Sequence, residues 1–370
     1  MARTPPADLS PAAARDNANA DGAKAHKGAT RTAKKRKTET RTTNTRTPKS
    51  VKPPREATAR SPRRLERAAP RKGGGASDAA GAVAIRLYDF QNLPFLPADA
   101  VADPARDPLH GGTYALMRDV LDFWESALGR RSYDGAGRRV VMFLRYPSGG
   151  GYCDPELEAL RFSGPWLFDG ADGRRYYFGD FALSADYVAH EFAHAVTNYC
   201  ARLDYREAEQ AGLHESLSDC FAIAFRNWRA RRTDPAAPVE WRFGAGVALP
   251  PLSCTRNLAE PNDPRAWSRG FSHASEVRPG PDGRIDAYAI GAVASLAFRR
   301  LAQALGEDVM AAARLWHAAL SDPRVLGVKS FGAFADLTVL CAQRAGVDLE
   351  RAARGAWASV GIGVSVAVAV

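Results

Sequence analysis

Two histidines and three carboxylates stand at spacings that could do chemistry together. In the run His190-Glu191-Phe192-Ala193-His194 the histidines are four residues apart. A helix repeats about every 3.6 residues, so both imidazoles fall on one face, one turn apart, and can offer nitrogens to a single zinc ion. Glu191 falls beside that face. An open zinc position with a water next to such a carboxylate is the apparatus for splitting an amide bond.

A second segment supplies more. Gly212-Leu213-His214-Glu215-Ser216-Leu217-Ser218-Asp219 opens an apolar helical run with Leu213, Leu217, Ala224, Phe225 and Trp228 at core spacing. Glu215 and Asp219 are again four apart. One of the two can bind a metal while the other accepts the free N–H of a ligand histidine and fixes its tautomer. His214 adjoins Glu215 but is turned about 100° away on a helix, so it reads as a surface or polar-core histidine.

Elements of both kinds must hold these residues in place. A helix is expected over 113–128, with Tyr114, Met117, Val120, Leu121, Phe123 and Trp124 on one stripe, and Val140 to Leu144 reads as a buried strand. Gly149-Gly150-Gly151, Asp169-Gly170 and Asp172-Gly173 punctuate hairpins before Tyr176-Tyr177-Phe178. From Ser184 onward the pattern turns helical, with helices expected over 289–305, 309–320 and 331–346. The fold class is therefore α+β in two lobes, with the histidine helix at the seam between an N-terminal α/β lobe (79–203) and a mainly helical C-terminal lobe (204–370). A cleft at such a seam suits an extended peptide.

Charge is divided unevenly along the chain. Residues 1–75 hold 20 Lys and Arg against 6 Asp and Glu, and the remainder holds 31 against 35, so a tail of +14 joins a body of −4. The first 78 residues are rich in Ala, Thr, Pro and Lys/Arg, with almost no large apolar side chains. Such a segment cannot bury enough surface to offset its ordering entropy, which predicts a disordered basic tail able to contact polyanions or nucleic acid. The first thirty residues lack the apolar stretch of an export signal, and the apolar 360–370 segment is short of the roughly 20 residues a spanning helix needs, so neither a signal peptide nor membrane insertion is expected. Five unpatterned cysteines (Cys153, Cys200, Cys220, Cys254, Cys341) argue against a disulfide framework and fit buried thiols in a reducing, cytoplasmic setting.

The stretch Asp186 to Tyr199 resembles the active-site helix of the thermolysin-like zinc endopeptidases, including their shorter protealysin-type members. Arg86-Leu87-Tyr88-Asp89-Phe90-Gln91-Asn92, Arg130 to Gly135 and Arg256-Asn257-Leu258-Ala259-Glu260-Pro261 are similar to further segments of that family, and the resemblance covers about 82–362. It implies a zinc-dependent endopeptidase, with one zinc held by His190, His194 and Glu215. Glu191 is then the general base, Asp219 the partner of a ligand histidine, Tyr205 an oxyanion donor and Arg256 the grip on the substrate carbonyl. Peptides or proteins are the implied substrates.

In three places the sequence departs from that pattern. Where the family carries a second oxyanion donor, a histidine, this chain has Ala287 or Tyr288; the tyrosine is the expected donor, with His273 on the preceding loop as a substitute. Phe162-Ser163-Gly164-Pro165-Trp166 stands roughly where the substrate-binding edge strand should be. Calcium is not expected, because Arg226, Arg242 and Ala245 replace acidic ligands around Asp186, and an arginine there can neutralise Asp186 without an ion. A second reading takes the chain as a catalytically impaired zinc scaffold that binds peptide or, through residues 1–75, nucleic acid. The intact Glu191 speaks against that reading.

Overall fold

The computed structural model describes residues 81–93, 98–170 and 173–367. The basic segment 1–78 lies outside the described residues. Five strands form one sheet: β1 (Ile85–Asp89), β2 (Asp99–Ala100), β3 (Val140–Leu144), β4 (Gly151–Asp154) and β5 (Ala159–Phe162), in the order β2-β1-β3-β5-β4. β1, β3 and β5 run parallel, with Met142 paired to Leu87 on one side and Leu160 on the other. β3 is the central strand of these three, and its unbroken apolar run Val140-Val141-Met142-Phe143-Leu144 suits a strand with no face fully given to water. β2 and β4 close the two edges antiparallel. A hairpin of β6 (Trp166–Asp169) and β7 (Arg175–Phe178) follows, where the Asp-Gly turn signals predict one.

The free edge is not where the sequence suggests. Phe162 ends β5, which β3 and β4 flank on both sides, so its backbone is already paired. The edge strand on this side of the sheet is β4, which starts at the last glycine of Gly149-Gly150-Gly151. That run therefore leads directly into a strand as well as making a turn.

Helices take over after the hairpin. α1 (Pro108–Asp122) lies earlier, covering the sheet with Leu116, Met117, Val120 and Leu121, and its last turn widens over Phe123–Ala127. It begins five residues before the expected Thr113, because Asp107 caps the amide of Leu109 at 2.8 Å and Pro108 occupies the first helical position. α2 (Ala185–Cys200) and α3 (Ala208–Thr233) follow, with a short ladder of β8 (Arg242–Phe243) and β9 (Arg256–Asn257) after them. α4 (Ala287–Ala304), α5 (Val309–Ser321) and α6 (Phe331–Ala345) lie within two residues of their expected limits. Asp286, Asp308 and Ser330 accept amide hydrogens at their starts. α7 (Val347–Ala358) completes the set.

One hydrophobic core runs from Met142 and Leu144 under the sheet to Trp316 and Trp357, whose rings stack 5.6 Å apart. Within it α3 is buried at every position from Gln210 to Phe225. A helix enclosed on all sides is normally apolar all round, yet this one carries His214, Glu215, Ser216, Ser218 and Asp219 inward. Buried polar groups need partners, so the other half of a site must face them. α2 supplies it on one side. On the other, α3 and α4 meet backbone to backbone: a Cβ on Gly291 would stand 2.5 Å from the Gly212 carbonyl oxygen, and one on Gly212 would be 3.0 Å from the Gly291 nitrogen. That glycine-on-glycine crossing brings the first turn of α4 close to Glu215. Among the described residues no helix is long and apolar enough to cross a membrane.

Candidate metal centre

His190 and His194 turn their Nε2 atoms toward each other from successive turns of α2, 2.9 Å apart. Glu215 Oε2 reaches the same point from α3, 3.3 Å from His190 Nε2 and 3.5 Å from His194 Nε2. All three residues are buried, and Glu215 Oε2 has no hydrogen-bond partner. An orphaned carboxylate oxygen facing two imidazole nitrogens is a donor set for one divalent ion, and two nitrogens with one carboxylate suit zinc chemistry. Among the described residues this is the cluster whose donor atoms could converge on an ion.

Electrostatics follow from burial and the mixture of charges. Burial pushes the Glu215 carboxyl up, but the two imidazoles outweigh it and hold it well below the usual carboxylate range. Burial disfavours a charged His190, yet Asp219 and Glu215 more than compensate and lift it to about 9. Glu191, also buried, is raised above its ordinary value because desolvation exceeds the pull of His190 and His194.

Further contacts hold the donors in place. Asp219 Oδ1 lies 2.9 Å from His190 Nδ1, a close contact rather than a straight hydrogen bond. The same carboxylate receives Arg256 through Nε and Nη2, both at 2.6 Å. The Arg256 guanidinium is layered between the rings of Phe243 and Tyr288, 4.4 and 4.5 Å from their centroids. Tyr205 donates to Glu215 Oε1 at 3.2 Å, so its hydroxyl is turned to the carboxylate.

A cavity of roughly 600 Å³ opens beside this cluster. His190, Glu191, Arg256 and Tyr288 line one side, and Phe168, Phe178, Phe181 and Trp267 line the apolar wall. Gly149, Gly150 and Gly151 form its rim, and Gly151 packs so close to Glu191 that a Cβ there would meet Oε1 at 2.5 Å. Tyr288 thus joins the cavity, its phenol held well above its ordinary pKa by the charge of Glu215 and by burial. Ala287 is the first residue of α4 and His273 caps a short turn, its ring against Gly361 and its Nδ1 2.8 Å from Ser275 Oγ. Neither of those two lines the cavity.

The sequence reading does not assign partners to His194. Its Nδ1 lies 2.6 Å from Nδ1 of His214 and 2.9 Å from Ser218 Oγ, and His214 Nε2 lies 2.9 Å from Asn198 Oδ1. His214 is a polar-core histidine. The signal available beforehand was the density of polar residues on a helix with an apolar stripe on several sides. Farther off, Arg226 donates to Asp186 Oδ2 at 2.6 Å and the Gly244 amide does so at 2.7 Å.

Residues 112–198 match the family model described as thermolysin metallopeptidase, catalytic domain. The chain is 26% identical over 199 residues to a thermolysin of Alicyclobacillus acidocaldarius subsp. acidocaldarius, covering 51% of this chain and 34% of that protein. It is 29% identical over 159 residues to neutral protease B of Bacillus subtilis (strain 168), covering 42% of this chain and 26% of the relative. The chain thus matches about a third or less of the length of these relatives. Its fold is similar to that of the precursor of protealysin, a metalloproteinase from Serratia proteamaculans, with a TM-score of 0.66 at 22% identity over 78% of this chain and 91% of that one. Family model, sequence relatives and fold agree in what this chain is similar to, the thermolysin-like metallopeptidases.

Proposed function

We propose that the chain is a zinc-dependent endopeptidase. One zinc is held by His190, His194 and Glu215. The observation that carries the reading is the convergence of three buried donor atoms beside a fourth buried group, Glu191, on the wall of an open cavity. Zinc in that position supplies Lewis acidity, which polarises a carbonyl and acidifies water. Glu191 takes a proton from the attacking water and passes it to the leaving amine, from its place on the cavity wall beside the donor atoms. Tyr288, which lines the same cavity as Glu191, donates to the carbonyl oxygen as negative charge builds there. Tyr205 adds a second hydroxyl by leaving Glu215. Arg256, with two of its donors spent on Asp219, sets the cavity floor and turns its remaining edge to the substrate carbonyl. Asp219 therefore orients both His190 and Arg256.

Cleavage of an internally quenched peptide by the full chain tests this, with bound metal counted in the same sample. Glu191→Ala should keep its metal and lose cleavage. Unchanged cleavage would refute the assignment of Glu191.

A second reading, a zinc scaffold without turnover, draws on the Tyr205 hydroxyl being engaged with Glu215 and on the arginine being engaged with Asp219. It predicts stoichiometric zinc with no cleavage of any peptide in a mixed-sequence library. Under either reading, the +14 charge of residues 1–75 is proposed to engage polyanions, which full-length protein should bind at low salt and release as salt rises. A chain with the tail lysines and arginines replaced by glutamine that binds equally well would exclude the tail as anchor. Calcium has no part in the proposal, because Arg226 supplies the positive charge facing Asp186.

A further inference from the structure

We propose that Arg269 selects substrates by charge, so that the cleft takes peptides carrying a carboxylate two residues from the apolar side chain seated on its aromatic wall. The inference rests on the peptidase reading above and names the class of peptide that this site prefers.

The cavity beside the donor cluster joins two kinds of surface. Trp267 packs against Phe168 and Phe178, with ring centroids 5.8 and 5.6 Å away, and these rings form its wall. Such a wall takes an apolar side chain but does not distinguish charges. The charged groups of the lining do that, and most of them are engaged. Glu191 faces the donor cluster. Arg256 gives Nε and Nη2 to Asp219, and Asp286 turns Oδ1 to the Ala289 amide at 2.8 Å. Arg269 lines the same cavity and has no carboxylate partner among the described residues. Its Nη2 donates to the Pro264 carbonyl at 3.3 Å, which leaves most of a planar donor fork unused.

The segment that carries Arg269 is tied down on both sides. Trp267 and Ser268 donate their amides to the Cys254 and Thr255 carbonyls at 3.0 and 2.9 Å, and Gly270 and Phe271 donate theirs to Pro261 and Ala289 at 2.7 and 3.0 Å. Gly270 also lies so close to Ala292 that a Cβ has no room there. An exposed arginine on such a stretch loses little backbone freedom when it meets a ligand. Trp267 and Arg269 stand two residues apart and both line the cavity, so wall and cation are separated by the span of two extended residues, about 6–7 Å. An extended substrate has the same repeat. A side chain seated on the wall therefore brings a carboxylate two residues away to the guanidinium, whose fork matches carboxylate geometry, whereas a lysine there is repelled. The carboxylate can belong to an acidic side chain or to the end of the peptide.

Competition between peptides on the zinc-loaded full chain, read by mass spectrometry, tests the preference. The peptides share one Phe and carry Asp, Asn or Lys two residues from it, before it in one set and after it in another. A further pair ends two residues after the Phe with a free or an amidated terminus. In one of the sets Asp should exceed Asn by about 5–10-fold in kcat/KM, the scale of a charged hydrogen bond at a partly exposed rim, with Lys lowest. Arg269→Glu should reverse that order, so that Lys exceeds Asp. A free terminus that outpaces its amide with no gain from Asp, and loses that advantage in Arg269→Glu, identifies the chain end as the source of the carboxylate. Equal rates across Asp, Asn and Lys together with equal rates for free and amidated ends overturn the proposal, as does a carboxylate preference that survives Arg269→Glu. An unaltered chain that cleaves none of the peptides sinks the peptidase reading instead. Fluorescence anisotropy with labelled copies of the same peptides then decides Arg269 by the same ratio and the same reversal, and binding of none of them overturns both.

Discussion

Adding one methyl group at Gly151 should separate stability from catalysis. Gly151 lies on the edge strand β4, and its backbone is not in the left-handed region, so alanine fits the local conformation. The new Cβ would stand 2.5 Å from Glu191 Oε1, 3.0 Å from Cγ and 3.1 Å from Cδ. Ordinary carbon–oxygen contact requires about 3.4 Å or more, so the carboxylate must retreat by roughly 1 Å. Its end is the flexible end of a side chain beside an open cavity, so moving it costs little folding free energy, within about 1 kcal/mol. For the reaction the same displacement is large, because a catalytic group misplaced by about 1 Å loses on the order of 10²-fold in rate. Gly151→Ala should therefore lower kcat by about 10–10² while KM, zinc content and the melting temperature change little. Steady-state kinetics on a quenched peptide, elemental analysis and thermal unfolding of the same preparation provide the three readings. Unchanged kcat with full zinc would refute the placement of Glu191 as the proton carrier.

Tyr288→Phe retains the ring on Arg256 but removes the hydroxyl, so turnover should fall by about 10²–10³ with zinc kept; silence in peptide kinetics would remove Tyr288 from the oxyanion role. Gly291→Ala drives a Cβ into the Gly212 carbonyl, a backbone atom that cannot swing aside, and should cost about 1–3 kcal/mol in denaturant unfolding, with no loss if the helix crossing is looser than described. His317, packed on Trp124, has its pKa lowered to about 4 by burial and by Arg130, against 6.5 for the free side chain. A depressed histidine contributes stability that is present above 6.5 and is lost as pH falls from 6.5 toward 4. The difference of 6.5 − 4, or about 2.5 pH units, corresponds to at most about 3 kcal/mol. His317→Gln should flatten the decline in unfolding free energy across that window, and parallel curves for variant and unaltered chain would show that His317 titrates normally.

What the sequence conveys about this fold follows the range of the forces involved. α4, α5 and α6 are legible because apolar spacing and the capping side chains Asp286, Asp308 and Ser330 act over one or two turns. The start of α1 is less so, since Gly111 and Gly112 dilute the periodic signal while the Asp107-Pro108 cap carries the boundary. Gly149-Gly150-Gly151 reads as a turn, and its role at the strand edge depends on Glu191, forty residues away in sequence from Gly151. The same contrast holds in the site. His190 and His194 announce themselves by spacing within one helix. The contact of His214 with His194 arises only when α3 lies on α2, and the engagement of Tyr205 with Glu215 and of Arg256 with Asp219 depends on segments that no local pattern relates.

Elemental analysis of the purified full chain after dialysis tests the central claim most directly. One zinc per chain, retained in Glu191→Ala and lost in both His194→Ala and Glu215→Ala, is the predicted result. No stoichiometric zinc in the unaltered chain, or zinc that survives removal of Glu215 and His194 alike, would contradict it.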